Sequence, residues 1–313
     1  MVRVGAVQAE PSWFNLEATV DKTIALIEEA GKKGIEVLGF PELWLPGYPW
    51  PIWTQNVTER ADIVHKYMAN SLSRDSEQME RIKSAAKDAG IVMVLGYSER
   101  DGASLYIAQS YIVDGEIVHH RRKIKPTHVE RSIWGDGGGS SLKTVIDTKH
   151  GKIGALCCFE HYQPLLRYYE YAQGAQIHVA AWPPFFETDA FFQGTPSGSR
   201  LASQFMAMEG QTFVLVSTQV LKKENFKLMG LPDSETNEVS PGGGGFAMIY
   251  GPDGRELVKA LAPNEEGILQ ADIDLQDIDY SKNLLDPVGQ YSRPDLMTLV
   301  VDTKEKRHVV ERE

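Results

Sequence analysis

The sequence predicts an α/β fold in which helices cover most of the strands. Three observations carry that expectation. Strand-like and helix-like segments alternate along the chain, and the alternation recurs in both halves. The chain is also large enough for a sizeable core, with 313 residues of which 42% are hydrophobic. The halves carry similar elements, so one domain of two related halves and two separate domains both stay open.

The elements follow in order. Val2–Ala9 reads as a strand. Residues 16–33 read as a helix with Val20, Ile24, Ile27 and Ala30 or Gly31 on one face, ended by Gly34. Residues 36–40 form a short buried-strand run stopped by Pro41. A helix at 76–89 leads into a strand at 91–97. Ser104–Val113 and 116–123 read as two strands joined by a turn at Asp114-Gly115. In the second half, strands are expected at 152–157, 177–181 and 212–217, with helices at Pro164–Gln173 and 199–210 between them. Residues 246–250 and 256–262 read as a hairpin around Gly251-Pro252-Asp253-Gly254, and Gly267–Ile273 as the last clear strand. From about residue 281 the chain turns polar, contains Pro287 and Pro294, and ends in the charged run 304–313. That segment reads either as a tail hugging the surface or as an arm packing on another subunit through Leu296, Leu299, Val300 and Val301.

Composition excludes several function classes. Acids outnumber bases 43 to 32, a net charge of −11, which argues against a nucleic-acid partner. No apolar run reaches the roughly 18 residues of a membrane span. The first ten residues lack a long apolar stretch and run into Glu10, so a secretory signal is not expected. The two cysteines, Cys157 and Cys158, are adjacent, which suits neither a disulfide framework nor a zinc site with His161. A reducing, cytoplasmic compartment is the expectation.

Three segments could carry chemistry. In Gly154–His161 an apolar strand meets polar residues, and Pro164 then opens a helix. A cysteine at that junction would be exposed on a sharp turn near helix N-terminal amides, which lower a thiol pKa. Core packing is the other reading for Cys158, and the better one for Cys157, which points to the opposite strand face. Glu42 follows the strand at 36–40 directly; it is either a base lining a crevice with a pKa raised by apolar walls, or a loop acid in water. The stretch 43–51 after it is rich in aromatic residues and reads as a pocket wall, an interface or a core lid. On the basic strand 119–125, Arg121, Lys123 and Lys125 share one face. A lysine held there between carboxylates would stay cationic and stabilise a developing anion; a solvated face is the plainer reading. The glycine runs 135–139 and 242–245 fit no phosphate-binding pattern and read as flexible loops.

Together these segments resemble the nitrilase branch of the carbon–nitrogen hydrolase superfamily. Phe40-Pro41-Glu42, Arg122-Lys123-Ile124-Lys125-Pro126-Thr127 and Cys158-Phe159-Glu160-His161 are similar to the family's three motifs, in the family's order. Pro46-Gly47-Tyr48-Pro49, Thr127-His128-Val129-Glu130-Arg131, Ala180-Ala181-Trp182-Pro183 and Tyr291-Ser292-Arg293-Pro294-Asp295 also look nitrilase-like, so the resemblance spans nearly the whole chain. It implies a four-layer α-β-β-α sandwich, with residues 1–280 as the catalytic domain and 281–313 as a C-terminal tail packing on a neighbouring subunit. It implies Glu42 as general base, Lys123 as cationic stabiliser, Cys158 as nucleophile and Glu130 as the carboxylate that orients Lys123. Trp44, Phe159, Trp182 and Pro183 are the expected substrate pocket. The family's usual tryptophan after the cysteine is Phe159 here, which bears on substrate range.

The activity implied is hydrolysis of a small organic nitrile to a carboxylic acid and ammonia, with no metal or organic cofactor. Hydration of cyanide or a nitrile to an amide, amide hydrolysis, and a non-catalytic scaffold are the alternatives. The resemblance further implies a homodimer or a larger spiral homo-oligomer, with no nucleic-acid or membrane partner.

Overall fold

The computed structural model of the chain describes residues 1–188, 190–231, 243–305 and 309. The first half runs β1 (Val2–Ala9), α1 (Leu16–Lys32), β2 (Val37–Gly39), α2 (Pro51–Thr54), α3 (Ala61–Ala69), α4 (Glu77–Ala89), β3 (Val92–Asp101), β4 (Ser104–Val113) and β5 (Glu116–Arg122). Then come β6 (Trp134–Gly135), β7 (Val145–Thr148), β8 (Gly151–Cys157), α5 (Pro164–Gln173), β9 (Ile177–Trp182), α6 (Pro196–Gly210) and β10 (Phe213–Gln219). β11 (Met248–Tyr250), β12 (Gly267–Ile273) and α7 (Gln276–Leu284) complete the order.

Hydrogen bonding links the strands in the order β5-β4-β3-β2-β1-β10-β9-β8-β7, with β12 on β1, β11 on β10 and β6 on β4. The halves meet where β1 and β10 run parallel, over the two partner pairs Gln8↔Thr218 and Ala9↔Gln219. Away from that seam they fold face to face. Val4, Ala6, Val37, Val92 and Val94 of one half share a buried cluster with Ile153, Ala155, Ile177, Val179 and Leu215 of the other. Helices cover both outer faces: α1 and α4 pack Ile27, Ala30, Met79 and Ile82 on the first half. α5 and α6 place Leu166, Tyr171 and Met206 against Leu156 on the second. The result is four layers, α-β-β-α, because each sheet half buries both faces and so reads as apolar runs.

Local signals explain the helix ends. Asn15 and Ser76 cap α1 and α4, each accepting an N–H three residues on. Gly90 and Gly174 close α4 and α5 in the left-handed conformation. α6 starts earlier than the expected residue 199, because Thr195 caps it through the Gly198 N–H at 3.0 Å and Pro196 fills its first turn.

The elements differ from expectation in two ways. The hairpin around Gly251–Gly254 keeps its first strand but not its second: Glu256 makes one bridge to Tyr250, Leu257 N–H donates to Ile249 O at 2.9 Å, and no named strand covers residues 256–262. There Ala262 O turns to accept from the Gln8 side chain, and Pro263 O accepts from Gly245 N. Strand β7 and helices α3 and α7 were not foreseen. α7 spans Gln276–Leu284, so the boundary expected at 280/281 falls inside that helix. Beyond α7 the described chain has no further helix or strand, and Glu305 accepts from the Ser140 hydroxyl of the same chain at 2.6 Å. Among the described residues no helix is long and apolar enough to cross a membrane.

Candidate active site

Four side chains from four separate loops converge at the carboxyl ends of β2, β5 and β8. Glu42 follows β2, Lys123 follows β5, and Glu130 sits in the short helical turn His128–Ser132. Cys158 begins the turn Cys158–Tyr162 after β8. Lys123 Nζ donates to Glu42 Oε1 at 2.7 Å and to Glu130 Oε2 at 2.9 Å, with all three groups buried. Three non-glycine residues here take positive φ: Leu43 at 50°, His128 at 45° and Cys158 at 47°. Such backbone costs roughly 1–3 kcal/mol each and persists where the surroundings hold it.

The end of β5 at Arg122 decides which lysine enters. Arg121 and Lys123 are both 1% exposed, whereas the strand ends at Arg122 and Lys125 turns out to an exposed pair with Asp136. Arg121 forks onto Glu160 with bonds of 2.7 and 2.9 Å. The Glu160 carboxylate also accepts Ile124 N–H and Cys157 N–H, each at 2.9 Å, so one group ties the lysine loop to the cysteine turn. Burial pulls the Glu160 pKa upward, but Arg121 and these amides outweigh it and leave it below the ordinary carboxylate value. The glycine run 135–139 is not merely a flexible loop. Gly137 N–H donates to Lys123 O at 2.9 Å, and a Cβ there would lie 2.5 Å from Arg122 O. Of the other run, Gly242 lies outside the described residues, and Gly243 exchanges hydrogen bonds with Leu221.

Charges are uneven across the cluster. Burial chiefly, with Lys123 opposing and Glu130 adding, raises the Glu42 carboxyl to about 8. Against burial, Glu130 and Glu42 hold the Lys123 ammonium well above its usual value. Glu42 Oε2 meets no hydrogen-bond partner among the described residues and stays available to take a proton. The expected lowering of the Cys158 thiol is overturned. Burial first, then the Glu42 charge, push its pKa well up, and Lys123 and the Phe159 N–H only partly offset them. The cysteine heads a one-turn helix rather than α5, so no long helix aims its amides at the sulfur.

The two cysteines separate as their alternation demands. Cys157 packs with Trp13, Phe14, Leu43 and Tyr48, and Cys158 with Trp182, Phe185 and Phe246. Of the expected pocket residues, Phe159 rests edge-on against Tyr162 at 5.2 Å and against Trp182 at 6.5 Å. Trp182 is buried in the Cys158 cluster with its indole N–H on Ser203, and Pro183 is buried beside it. Trp44 is not part of this wall. Its ring lies in the core under α1, with Nε1 donating to Thr23 Oγ1 at 2.7 Å. A cleft of about 580 Å³ borders both loops, lined by Lys125, Thr127, Phe159, Tyr162 and the tail residues Leu299 and Val300.

Sequence reasoning missed the supports. Tyr48 donates to Glu130 Oε1 at 3.1 Å and accepts from Trp53 Nε1 at 2.8 Å, while the Trp53 ring stacks on His128. Gln219 Nε2 donates to Glu42 O at 2.6 Å. The aromatic stretch after Glu42 was the available signal for Tyr48; nothing local pointed to Gln219. Among the described residues no group of three or more His, Cys, Asp or Glu side chains could hold a metal ion.

Comparisons with known proteins bear on the family of the chain. The sequence profile of the carbon–nitrogen hydrolase family matches residues 3–283. A nitrilase of Talaromyces marneffei is 55% identical over 99% of this chain and 98% of its own length. An arylacetonitrilase of Aspergillus kawachii is 48% identical over 99% and 94%. Among solved structures, an amidase variant from Nesterenkonia sp. AN1, described with acrylamide added to its active-site cysteine, superposes with a TM-score of 0.63. That superposition has 20% identity and covers 91% of this chain and all of that one, a likeness of fold. The chain belongs to the carbon–nitrogen hydrolase family, within its nitrilase branch.

Proposed function

We propose that the protein is a nitrilase, hydrolysing a small organic nitrile to a carboxylic acid and ammonia through a thioimidate and then a thioester on Cys158. The observation that carries this reading is the Lys123 ammonium held between the Glu42 and Glu130 carboxylates beside a cysteine on a left-handed turn. A nitrile carbon is a weak electrophile, so a thiolate is the fitting nucleophile. Glu42 takes the Cys158 proton as sulfur attacks the nitrile carbon, and returns it to the nitrogen. Lys123 and the Phe159 N–H stabilise the negative charge that develops there. A first water adds to the thioimidate and gives one proton to the nitrogen by way of Glu42; the hydroxyl proton of the tetrahedral adduct follows by the same carboxylate, so that ammonia leaves and a thioester remains. A second water releases the acid and restores the thiol. Glu130 keeps Lys123 oriented, and Tyr48 keeps Glu130 in place.

Buried aromatic side chains around Cys158 favour an uncharged, apolar nitrile. The test is a nitrile panel with acid, amide and ammonia measured together, with Cys158→Ala as control. Acid and ammonia in equal amounts, lost in the variant, are expected. Undiminished release from Cys158→Ala overturns the reading, and amide as the main product moves the enzyme to the hydratase side.

The same reading includes a cytoplasmic location, which a thiol nucleophile favours, and a homodimer or longer spiral. Leu201, Phe205 and Met208 of α6 and Leu165 of α5 are exposed apolar side chains, suited to helix pairing between copies. The tail from residue 281 would then reach a neighbouring subunit. Light scattering giving only the 34.9 kDa monomer at micromolar concentration removes the assembly.

A further inference from the structure

A row of three buried side chains outside the Glu42–Lys123–Glu130 cluster ends on the peptide of the candidate nucleophile. Glu170 of α5, His178 of β9 and His161 of the turn Cys158–Tyr162 are all completely buried. Glu170 Oε1 meets His178 Nδ1. His178 Nε2 lies 2.9 Å from His161 Nε2, and His161 Nδ1 lies 2.7 Å from the Cys158 carbonyl oxygen. Chemistry sets the directions. A carbonyl oxygen only accepts, so His161 Nδ1–H donates to it. Burial, then the nearby His178, hold the His161 pKa well below its usual value, so that ring carries a single proton. Its Nε2 is therefore an acceptor, and His178 Nε2–H donates to it. His178 Nδ1 faces Glu170 Oε1, so a carboxyl group terminates the row.

The surroundings are shaped for it. The Trp182 ring stacks on His161 at 5.0 Å and 22°. Gly154 of β8 leaves the space for the carboxylate, since a Cβ there would lie 2.5 Å from Glu170 Oε1. None of the hydrogen bonds of the described residues joins the row to Glu42, Lys123 or Glu130. What it reaches is the Cys158–Phe159 peptide, a rigid unit. The other end of that unit is the Phe159 N–H, which favours charge on the Cys158 sulfur and pulls its pKa down against burial. A donor on the carbonyl fixes the plane of the peptide and strengthens its N–H as a donor. The plane needs fixing, because Cys158 sits at φ 47°, where backbone preference opposes it.

We propose that His161, His178 and Glu170 are positioning residues that orient and polarise the Cys158–Phe159 peptide, aiming its N–H at the sulfur and at the charge forming on the nitrile nitrogen. This rests on the reading of Cys158 as nucleophile.

The experiment compares wild type, Cys158→Ala, His161→Phe, His161→Asn and Glu170→Gln. It reads kcat and KM for acid release from one nitrile, the iodoacetamide alkylation rate of Cys158 by peptide mass, and the melting temperature. His161→Phe keeps a ring on Trp182 but has no N–H, so kcat should fall about 10–100-fold with KM within about twofold, and alkylation should slow. His161→Asn restores an N–H toward the Cys158 carbonyl and should recover kcat to within about fivefold of wild type. Glu170→Gln keeps the shape of the row without its carboxyl group and should lower kcat about 3–10-fold at unchanged KM. A wild-type kcat in folded His161→Phe, or no recovery in folded His161→Asn, overturns the proposal. If His161→Phe does not fold, Glu170→Gln decides: lowered kcat at wild-type melting temperature supports it, and wild-type kcat overturns it. Cys158→Ala separates the two levels. Acid release persisting there sinks the nucleophile itself, whereas a silent Cys158→Ala with His161 and Glu170 variants at full rate sinks only this inference.

Discussion

Replacing Glu42 by glutamine removes one proton-binding group from the centre of the protein while keeping the shape of its side chain. In the folded protein, burial above all lifts this carboxyl from 4.5 to about 8. In the unfolded chain the same group titrates near its ordinary value, about 4.3. The native state therefore holds one more proton than the unfolded state between those values. For a group raised on folding, that contribution is fully present below the unfolded pKa and is lost as pH rises through the folded one. Each pH unit inside the window weighs up to about 1.4 kcal/mol, so the whole window amounts to roughly 4–5 kcal/mol. Lys123 stays protonated throughout, because its pKa lies well above the range. Glu42→Gln lacks the group. Relative to wild type it should gain roughly 4 kcal/mol between pH 5 and pH 8.5, whatever its offset at pH 5. Urea unfolding at pH 5, 6.5 and 8.5 at fixed ionic strength, followed by tryptophan fluorescence, reads the gap. A gap that stays constant across the series would refute the assignment of the extra proton to Glu42. Acid release should fall about 10²–10⁴-fold in the same variant, as for a lost general base.

Other variants test other parts. Trp44→Phe should cost about 1–3 kcal/mol in urea unfolding and leave the ranking of nitriles unchanged, since the ring is core and its N–H bonds Thr23; a changed ranking would return Trp44 to the pocket. Phe159→Trp adds bulk at the cleft and should raise KM for large nitriles more than for small ones, read from a paired substrate series. Arg121→Leu leaves Glu160 buried without its cation and should destabilise by about 3–5 kcal/mol in the same unfolding assay. Leu201→Lys combined with Phe205→Glu should shift light scattering toward 34.9 kDa without lowering the melting temperature, both side chains being exposed.

Much of this was legible because burial writes a period into sequence. Each sheet half is covered on both faces, so β8, β9 and β10 appear as apolar runs, and α1 and α4 show one apolar stripe each. Glu42, Lys123, Glu130 and Cys158 were readable from motifs, but the motif could not separate Lys123 from Lys125 by face. The strand ends at Arg122, and that end is a tertiary fact. Trp44 was misplaced for a similar reason: in an aromatic stretch, type alone does not tell which rings enter the core and which, like Tyr48 and Trp53, support the site. Gln219, Glu170 and His178 were unreadable because their partners lie on other elements, up to 177 residues away for Gln219 and Glu42. The one local hint was a histidine and a glutamate at positions that turn out to be fully buried.

The seam between β1 and β10 has a mechanical consequence. Glu42, Lys123 and Glu130 ride on one sheet half and Cys158 on the other, so any sliding between halves would open the gap between the proposed base and the proposed nucleophile. Two clamps prevent it at that line: Ser217 Oγ on Gly39 O at 2.9 Å and Gln219 Nε2 on Glu42 O. Tyr48 N–H, bonded to Gln219 Oε1 at 3.1 Å, adds a third fastening from the Glu130 side. The molecule behaves there as a closed book whose spine is pinned at the page that carries the chemistry. Loosening the spine would blunt the reaction while leaving every reacting side chain in its own half intact.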